Sequence, residues 1–152
     1  MPNQVALITG GAKRVGAATC RRLHARGANL IVHYRTSAGE AQALQAELNQ
    51  IRPRSVALAQ ADLLDIARLP CLIDETVTHF GKLDALVNNA SSFFPTPLGE
   101  ITEKMWDDLI GSNLKAPLFL SQAAAPELRK QHGCIVNIVD INAQRPLPAH
   151  TI

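Results

Sequence analysis

The sequence predicts an α/β fold in which a parallel sheet is doubly wound, with helices on both faces. Three observations predict it. Short apolar runs recur five times, at 5–9, 30–33, 55–59, 83–88 and 135–139; segments with apolar residues at helical spacing separate them; and a glycine pair stands directly after the first run. Strands alternating with helices join through right-handed crossovers, which makes neighbouring strands parallel and covers both faces of the sheet.

Each element has its own local reason. Val5 to Thr9 fits either a strand or a buried helix, but Gly10 and Gly11 end it abruptly, as a strand ends at a turn. Over 14–26, Val15, Ala18 and Leu23 share a face, Arg21, Arg22 and Arg26 lie outside it, and Gly27 supplies the stop. After the strand at 30–33, Ala41, Leu44, Leu48 and Ile51 recur at helical spacing and Pro53 stands just beyond them. The strand at 55–59 precedes a helix face of Leu69, Leu72, Ile73, Thr76 and Phe80, with Pro70 in its first turn and Gly81 closing it. A loop rich in Ser, Phe and Pro follows the fourth strand and runs to Glu100, a length at which loops concentrate function. Thr102 is placed to cap a helical region reaching Lys130, whose apolar residues are Met105, Trp106, Leu109, Ile110, Leu118, Phe119 and Leu120. Gly111 and Pro117 divide that region into two helices or bend it. Gly133 introduces the strand at 135–139, a hydrophobic edge if no further strand joins it.

Composition narrows the function classes. The chain of 152 residues, 47% hydrophobic and 18% charged, suits one domain over 1–152 with a sizeable core. A net charge of +2 with scattered Lys and Arg lacks the basic stripe that nucleic-acid binding requires. Its apolar runs are too short to cross a membrane and its first residues carry no signal peptide, so a soluble, cytoplasmic protein is expected. Cys20, Cys71 and Cys134 show no CxxC or Cys/His ligand spacing, so the reading is three buried thiols, without disulfide or metal.

The loop Thr9-Gly10-Gly11-Ala12-Lys13-Arg14-Val15-Gly16 places glycines where a helix N-terminus meets a pyrophosphate, since side chains there would keep the backbone N–H groups from the anion. A tight turn without a ligand is the alternative. The end of the second strand normally selects the nicotinamide cofactor, because a carboxylate there accepts the ribose 2′-hydroxyl and repels a 2′-phosphate. Here the stretch is His33-Tyr34-Arg35-Thr36-Ser37, with no acid. Arg35 can pair with a phosphate bidentately, Ser37 can donate a hydroxyl, and Arg14 reaches the same corner, so NADP(H) is expected over NAD(H), against the plainer reading of solvated surface arginines.

Thr9-Gly10 to Gly16, Asp62-Leu63, Asn88-Asn89-Ala90 and Asn113 together resemble the ordered motifs of the short-chain dehydrogenase/reductase family, and with them a Rossmann-like sheet is implied. Arg14, His33-Tyr34-Arg35, the loop from Asn89 to Leu98 and Asp140 are similar to the pteridine reductase branch, and the resemblance covers essentially the whole chain. It implies that Gly10, Arg14, Val15, Gly16, His33, Tyr34, Arg35 and Ser37 bind the cofactor's phosphates and ribose, that Asp62 and Leu63 hold the adenine, and that Asn89 and Ala90 line the cofactor. Ser91 would touch both cofactor phosphate and pterin, and Phe93 would stack on the pterin. Asn113 would help hold a water beside a catalytic lysine, and Asp140 stands where the wider family has a substrate-binding serine. An acid there helps deliver the proton that reduction of a ring C=N needs. Plainer readings stay open: the asparagine pair as a turn, Phe93 as packing under a loop, Asn113 as a polar group at a helix bend, Asp140 as a helix N-cap.

The family's Tyr-x-x-x-Lys motif is expected directly after His150-Thr151-Ile152, and Tyr34 belongs to the cofactor end. The sequence is therefore expected to be the five-stranded N-terminal part of a longer enzyme, with the C-terminal part of the fold missing, and to be inactive by itself. For the complete protein the resemblance implies NADPH-dependent reduction of a dihydropterin or of dihydrofolate by a homotetramer built on the long helices near Leu118 to Leu128. The alternatives are a carbonyl or 3-oxoacyl reductase of the same family, disfavoured by Asp140 and Ala90-Ser91, and a non-catalytic NADP(H)-binding sensor.

Overall fold

Four consecutive residues in β1 (Val5–Ile8) are buried, which requires cover on both faces of the strand and a neighbour on either edge. A computed structural model, which describes residues 3–152, supplies both. The elements are β1, α1 (Arg14–Ala25), β2 (Asn29–Tyr34), α2 (Ala38–Ile51), β3 (Val56–Gln60), α3 (Leu69–Phe80), β4 (Ala85–Asn88), α4 (Glu103–Ile110), α5 (Ala116–Lys130) and β5 (Cys134–Asn137). The sheet runs β3-β2-β1-β4-β5 and every pairing is parallel. This is the Rossmann-like α/β arrangement. The strand order reverses between β1 and β4, which opens a crevice beyond their carboxyl ends.

Side chains along a strand alternate between faces, and the two cores follow that period. Leu7 and Leu86 point to one side, where they meet Leu69, Leu72 and Ile73 of α3 and Ala116, Leu120, Ala124 and Leu128 of α5. Ala6, Ile8, Ala85 and Val87 point to the other and meet Ala17 and Cys20 of α1 and Leu44 and Leu48 of α2. Pro70 sits in the first turn of α3, and Gly81 ends that helix with φ 78°, a left-handed position that glycine adopts without strain. Thr102 caps α4, its side-chain oxygen accepting from Met105 N at 3.2 Å.

Several expectations about faces are corrected. In α1 the buried residues are Gly16, Ala17, Cys20 and His24, while Val15 is 58% exposed. The start of this helix lies so close to the glycine loop that only small residues fit inward, and Val15 is turned toward the crevice. Ile51, at the last position of α2, is exposed. The inward stripe of α5 is Ala116, Leu120, Ala124 and Leu128, which leaves Leu118 and Phe119 outside, as Trp106 is on α4. Gly111–Lys115 forms a π-turn joining α4 to α5, so the expected break is a widened turn inside one helical run. Gly111 lets this turn pack closely on Leu64, whose Cδ2 would stand 2.6 Å from a Cβ there.

Cys20 is buried, but Cys71 and Cys134 are exposed, contrary to the expectation of three buried thiols. Cys71 lies off the buried face of α3, and Cys134 opens β5, which pairs with β4 alone. All four residues of β5 are exposed among the described residues. No helix of the described residues is long and apolar enough to cross a membrane.

Candidate functional site

Where β1 ends, the chain must turn sharply enough to start α1 directly beyond it. Gly10 does so at φ 59°, with its α-carbon so close to the loop after β4 that a Cβ would lie 3.0 Å from Ala90 Cα. A Cβ on Gly16 would lie 2.3 Å from Gly10 O. The loop and the helix start are thus in backbone contact. The first hydrogen bond of the helix is made by Ala17 N to Lys13 O at 3.1 Å, so the N–H groups of Arg14, Val15 and Gly16 precede it and have no partner within the helix, the arrangement by which a helix start can bind an anion. Arg14 itself has φ 48°, a left-handed conformation that costs a non-glycine residue about 1 kcal/mol.

Residues far apart in sequence brace this loop. Thr9 Oγ1 accepts from Asn89 N at 2.9 Å and Ala90 N at 3.0 Å, and donates to Val87 O at 3.3 Å. The Asn89 side chain donates back to Thr9 O and Gly10 O, at 2.9 and 3.1 Å. Its amide is thereby a clasp between the loops after β1 and β4. Gly10 N donates to His33 Nδ1 at 3.2 Å, Gly11 N donates to His33 O at 2.9 Å, and His33 Nε2 lies 3.1 Å from Ala61 O. With both ring nitrogens engaged and 2% exposure, His33 lies beneath the site, and burial pushes its pKa below the usual histidine range.

Beyond β2 the surface opens. Arg35 and Arg14 are exposed, and neither is ion-paired among the described residues, whereas Lys13 is held by Glu40 at 2.7 Å. Ser37 stands at the N-cap of α2 with its hydroxyl making no capping bond. Asp62, after β3, accepts from Leu64 N at 3.0 Å through one oxygen, beside the buried Leu63.

The opposite end is shaped by the loop after β4. Asn113, in the π-turn, accepts from Ser92 N at 3.0 Å and donates to Ser92 O at 2.9 Å, so it pins that loop. Ser92 Oγ donates to Asp108 Oδ1 at 2.7 Å, a tie from α4 that no sequence signal marked. Phe93 is 60% exposed and stacks on His150, with ring centroids 4.8 Å apart and planes 16° apart. The loop is fastened below by the fully buried Thr96, whose Oγ1 accepts from Thr151 N at 2.9 Å and Ile152 N at 3.2 Å. Asp140 Oδ1 accepts from Asn142 N at 2.9 Å and so caps the short 3-10 helix Ile141–Ala143. Its other oxygen has no hydrogen bond among the described residues.

These groups line one cleft of about 1080 Å³. Every residue singled out from the sequence reaches it, from Gly10, Arg14, Val15 and Gly16 through His33, Tyr34, Arg35, Ser37, Asp62 and Leu63 to Asn89, Ala90, Ser91, Phe93, Asn113 and Asp140. It is a trough with backbone donors, Lys13, Arg14, Arg35 and Asp62 at one end, Phe93 and Asp140 at the other, and the crevice between β1 and β4 in the middle. Such a shape suits an extended ligand with phosphates at one end and a flat ring at the other.

The short chain dehydrogenase family matches residues 4–152 of this chain. The chain is 39% identical over 186 residues to pteridine reductase 1 of Leishmania tarentolae, a match covering 97% of this chain and 64% of that protein. It is 35% identical over 137 residues to a 3-oxoacyl-(acyl-carrier-protein) reductase of Staphylococcus aureus, covering 90% of this chain and 55% of that one. A hydroxynaphthalene reductase of Aspergillus fumigatus is 32% identical over 152 residues, covering 100% of this chain and 55% of its own length. The chain therefore spans 55% to 64% of the length of these relatives. Because the family match runs through all five strands and the loops between them, and not over the glycine loop alone, the chain belongs to the short chain dehydrogenase family, with a resemblance to its pteridine reductase branch.

Proposed function

We propose that this chain is the nucleotide-binding part of an NADP(H)-dependent reductase that acts on a dihydropterin or dihydrofolate. The observation that carries the proposal is the make-up of the cleft: Arg14 and Arg35 at one end, with no acidic residue in the stretch from His33 to Ser37, and Phe93 and Asp140 at the other. The glycine loop fits a dinucleotide, since Gly10 and Gly16 let the loop and the helix start meet in backbone contact, which a Cβ at either position would force apart. In this reading the N–H groups of Arg14, Val15 and Gly16 meet the pyrophosphate, and Arg14, Arg35, Tyr34 and Ser37 surround the 2′-phosphate. Asp62 and Leu63 hold the adenine, and Ala90 and Ser91 line the path to the nicotinamide.

NADPH supplies a hydride to a ring carbon, and a proton must reach the neighbouring ring nitrogen. Phe93 offers its ring as a platform for the flat heterocycle. Asp140, with one oxygen held by Asn142 N, keeps the other for the heterocycle's N–H groups or for the proton. Asn113 fixes the loop that carries Ser91 and Phe93. In the complete protein, the exposed Leu114, Leu118 and Phe119 at the π-turn and α5 provide an apolar face for assembly into a tetramer.

The test is NADPH oxidation by the full-length gene product with dihydrobiopterin, dihydrofolate and a 3-oxoacyl thioester. Pterin turnover that falls at least about tenfold in Phe93→Ala and Asp140→Asn is expected. Arg35→Asp should reverse the preference toward NADH. Turnover of the thioester alone, unaffected by those two substrate-end changes, would replace this reading with a carbonyl reductase.

A further inference from the structure

We infer that His33 is a positioning residue for the nucleotide, whose neutral imidazole braces the glycine loop against the turn after β3 and loses that hold when Nδ1 takes a proton. The inference rests on the NADP(H) reading above. Gly10 N is a donor, so His33 Nδ1, 3.2 Å away, must accept. A ring that accepts at Nδ1 carries its proton at Nε2, where it donates to Ala61 O at 3.1 Å. One ring thus joins the loop that meets the pyrophosphate to the turn that carries Asp62. The backbone repeats the tie through Gly11 N and His33 O.

These bonds also determine which amides are free. Gly10 and Gly11 have spent their N–H groups on His33, so an anion is left with those further along the loop, among them Arg14, Val15 and Gly16, and the imidazole braces the loop that carries them. An imidazolium has N–H at both nitrogens. Its Nδ1–H would face Gly10 N–H, and Gly10 has little room to turn away, lying against Ala90 Cα. The loop must then shift, and the donors with it.

The charged and titratable surroundings are few. Asp62, on the turn that receives Nε2, favours the imidazolium, but burial outweighs it. Cys20, from α1, donates to Gly11 O at 3.6 Å and stays a neutral thiol, its pKa pushed up to about 12 by burial. Lys13 and Arg14 on the loop, Tyr34 at the end of the strand and Arg35 just beyond it share the cleft above the ring. The binding-competent form is therefore the neutral one, and affinity falls as acid protonates His33.

Calorimetric titration of the full-length protein with NADP+, from about pH 8 to about pH 5, tests this in the natural protein, His33→Asn and His33→Phe. Asparagine restores an acceptor near the Nδ1 position without titrating, whereas phenylalanine fills the space and offers none. The natural protein should lose more affinity than His33→Asn as the pH falls, His33→Asn should bind within about threefold of it at the upper end, and His33→Phe should bind weakly throughout. The ligand's own 2′-phosphate titrates equally in all three and cancels in the comparison. Parallel pH profiles for the natural protein and His33→Asn would overturn the inference, as would undiminished binding by a folded His33→Phe. Absence of NADP+ binding by the natural protein at the upper pH would overturn the cofactor reading, and this inference with it.

Discussion

Replacing Gly16 by alanine adds one methyl group at the most crowded contact in the cleft. The new Cβ would stand 2.3 Å from Gly10 O, 2.7 Å from Asn89 Nδ2 and 2.9 Å from Gly11 Cα. Two of these atoms are backbone and the third is fastened by hydrogen bonds, so none can yield as the end of a flexible side chain does. Gly16 lacks a left-handed φ, and alanine would gain about 1 kcal/mol in helix propensity. Overpacking costs about 1–3 kcal/mol and here also displaces the loop, so a net loss of up to about 2 kcal/mol in stability is expected. Nucleotide affinity should fall more than stability does, because relief comes from parting α1 from the loop whose geometry the phosphates require. Gly39→Ala is the control: nothing lies within 4 Å of its added Cβ, and it should stabilise by about 0.4–1 kcal/mol. Urea denaturation and NADP+ calorimetry of both variants would decide. A Gly16→Ala protein as stable and as tight-binding as the natural one would refute the close-contact argument.

Thr9→Val keeps the shape of the side chain but removes the acceptor for Asn89 N and Ala90 N, and should cost about 2 kcal/mol or more in urea denaturation; a loss below about 0.5 kcal/mol would contradict the clasp. Burial and nearby Arg52 hold the pKa of His24 below its ordinary value of 6.5. The unfolded chain thus takes up a proton more readily, so this stability is present above pH 6.5 and lost as pH falls toward the folded value. Denaturation midpoints measured through that window should fall less in His24→Gln than in the natural protein, and equal slopes would exclude the effect. A thiol reagent should modify Cys71 and Cys134 quickly in the native chain and Cys20 only on unfolding, with mass spectrometry reading the order.

Local periodicity sufficed where large apolar residues were also the buried ones. Leu69, Leu72, Ile73 and Thr76 form the inward face of α3 as their spacing predicts, between Pro70 and Gly81. It failed in α1, where the inward residues are Gly16, Ala17, Cys20 and a hydrogen-bonded histidine. Proximity to the glycine loop selects for small size there, and a hydrophobic pattern does not record size. The same blindness affected α5, whose stripe includes Ala116 and Ala124 while Leu118 and Phe119 face out. Apart from Asn113 in the π-turn, the residues that line the cleft were legible because they follow strands of one parallel sheet, so their place in the chain fixes the edge at which they emerge. Their bonds were not. The contacts of Thr9 with Asn89 join residues 80 apart, and those of Gly10 with His33 join residues 23 apart. Asp140 shows both readings at once, since it caps 141–143 and still lines the cleft.

The tie between Thr96 and residues 149–152 has a consequence in time. Oγ1 of Thr96 must wait for an N–H made 55 residues later. At synthesis rates of about 5–20 residues per second, that interval is roughly 3–11 seconds. Strands β1 to β4, the glycine loop and its Asn89 clasp are complete in sequence by residue 89, so the nucleotide end can take shape on the ribosome first. The aromatic wall at Phe93 sets later, when His150 and Thr151 arrive. A nascent chain stalled in between would present a finished phosphate cradle beside an unfinished ring platform.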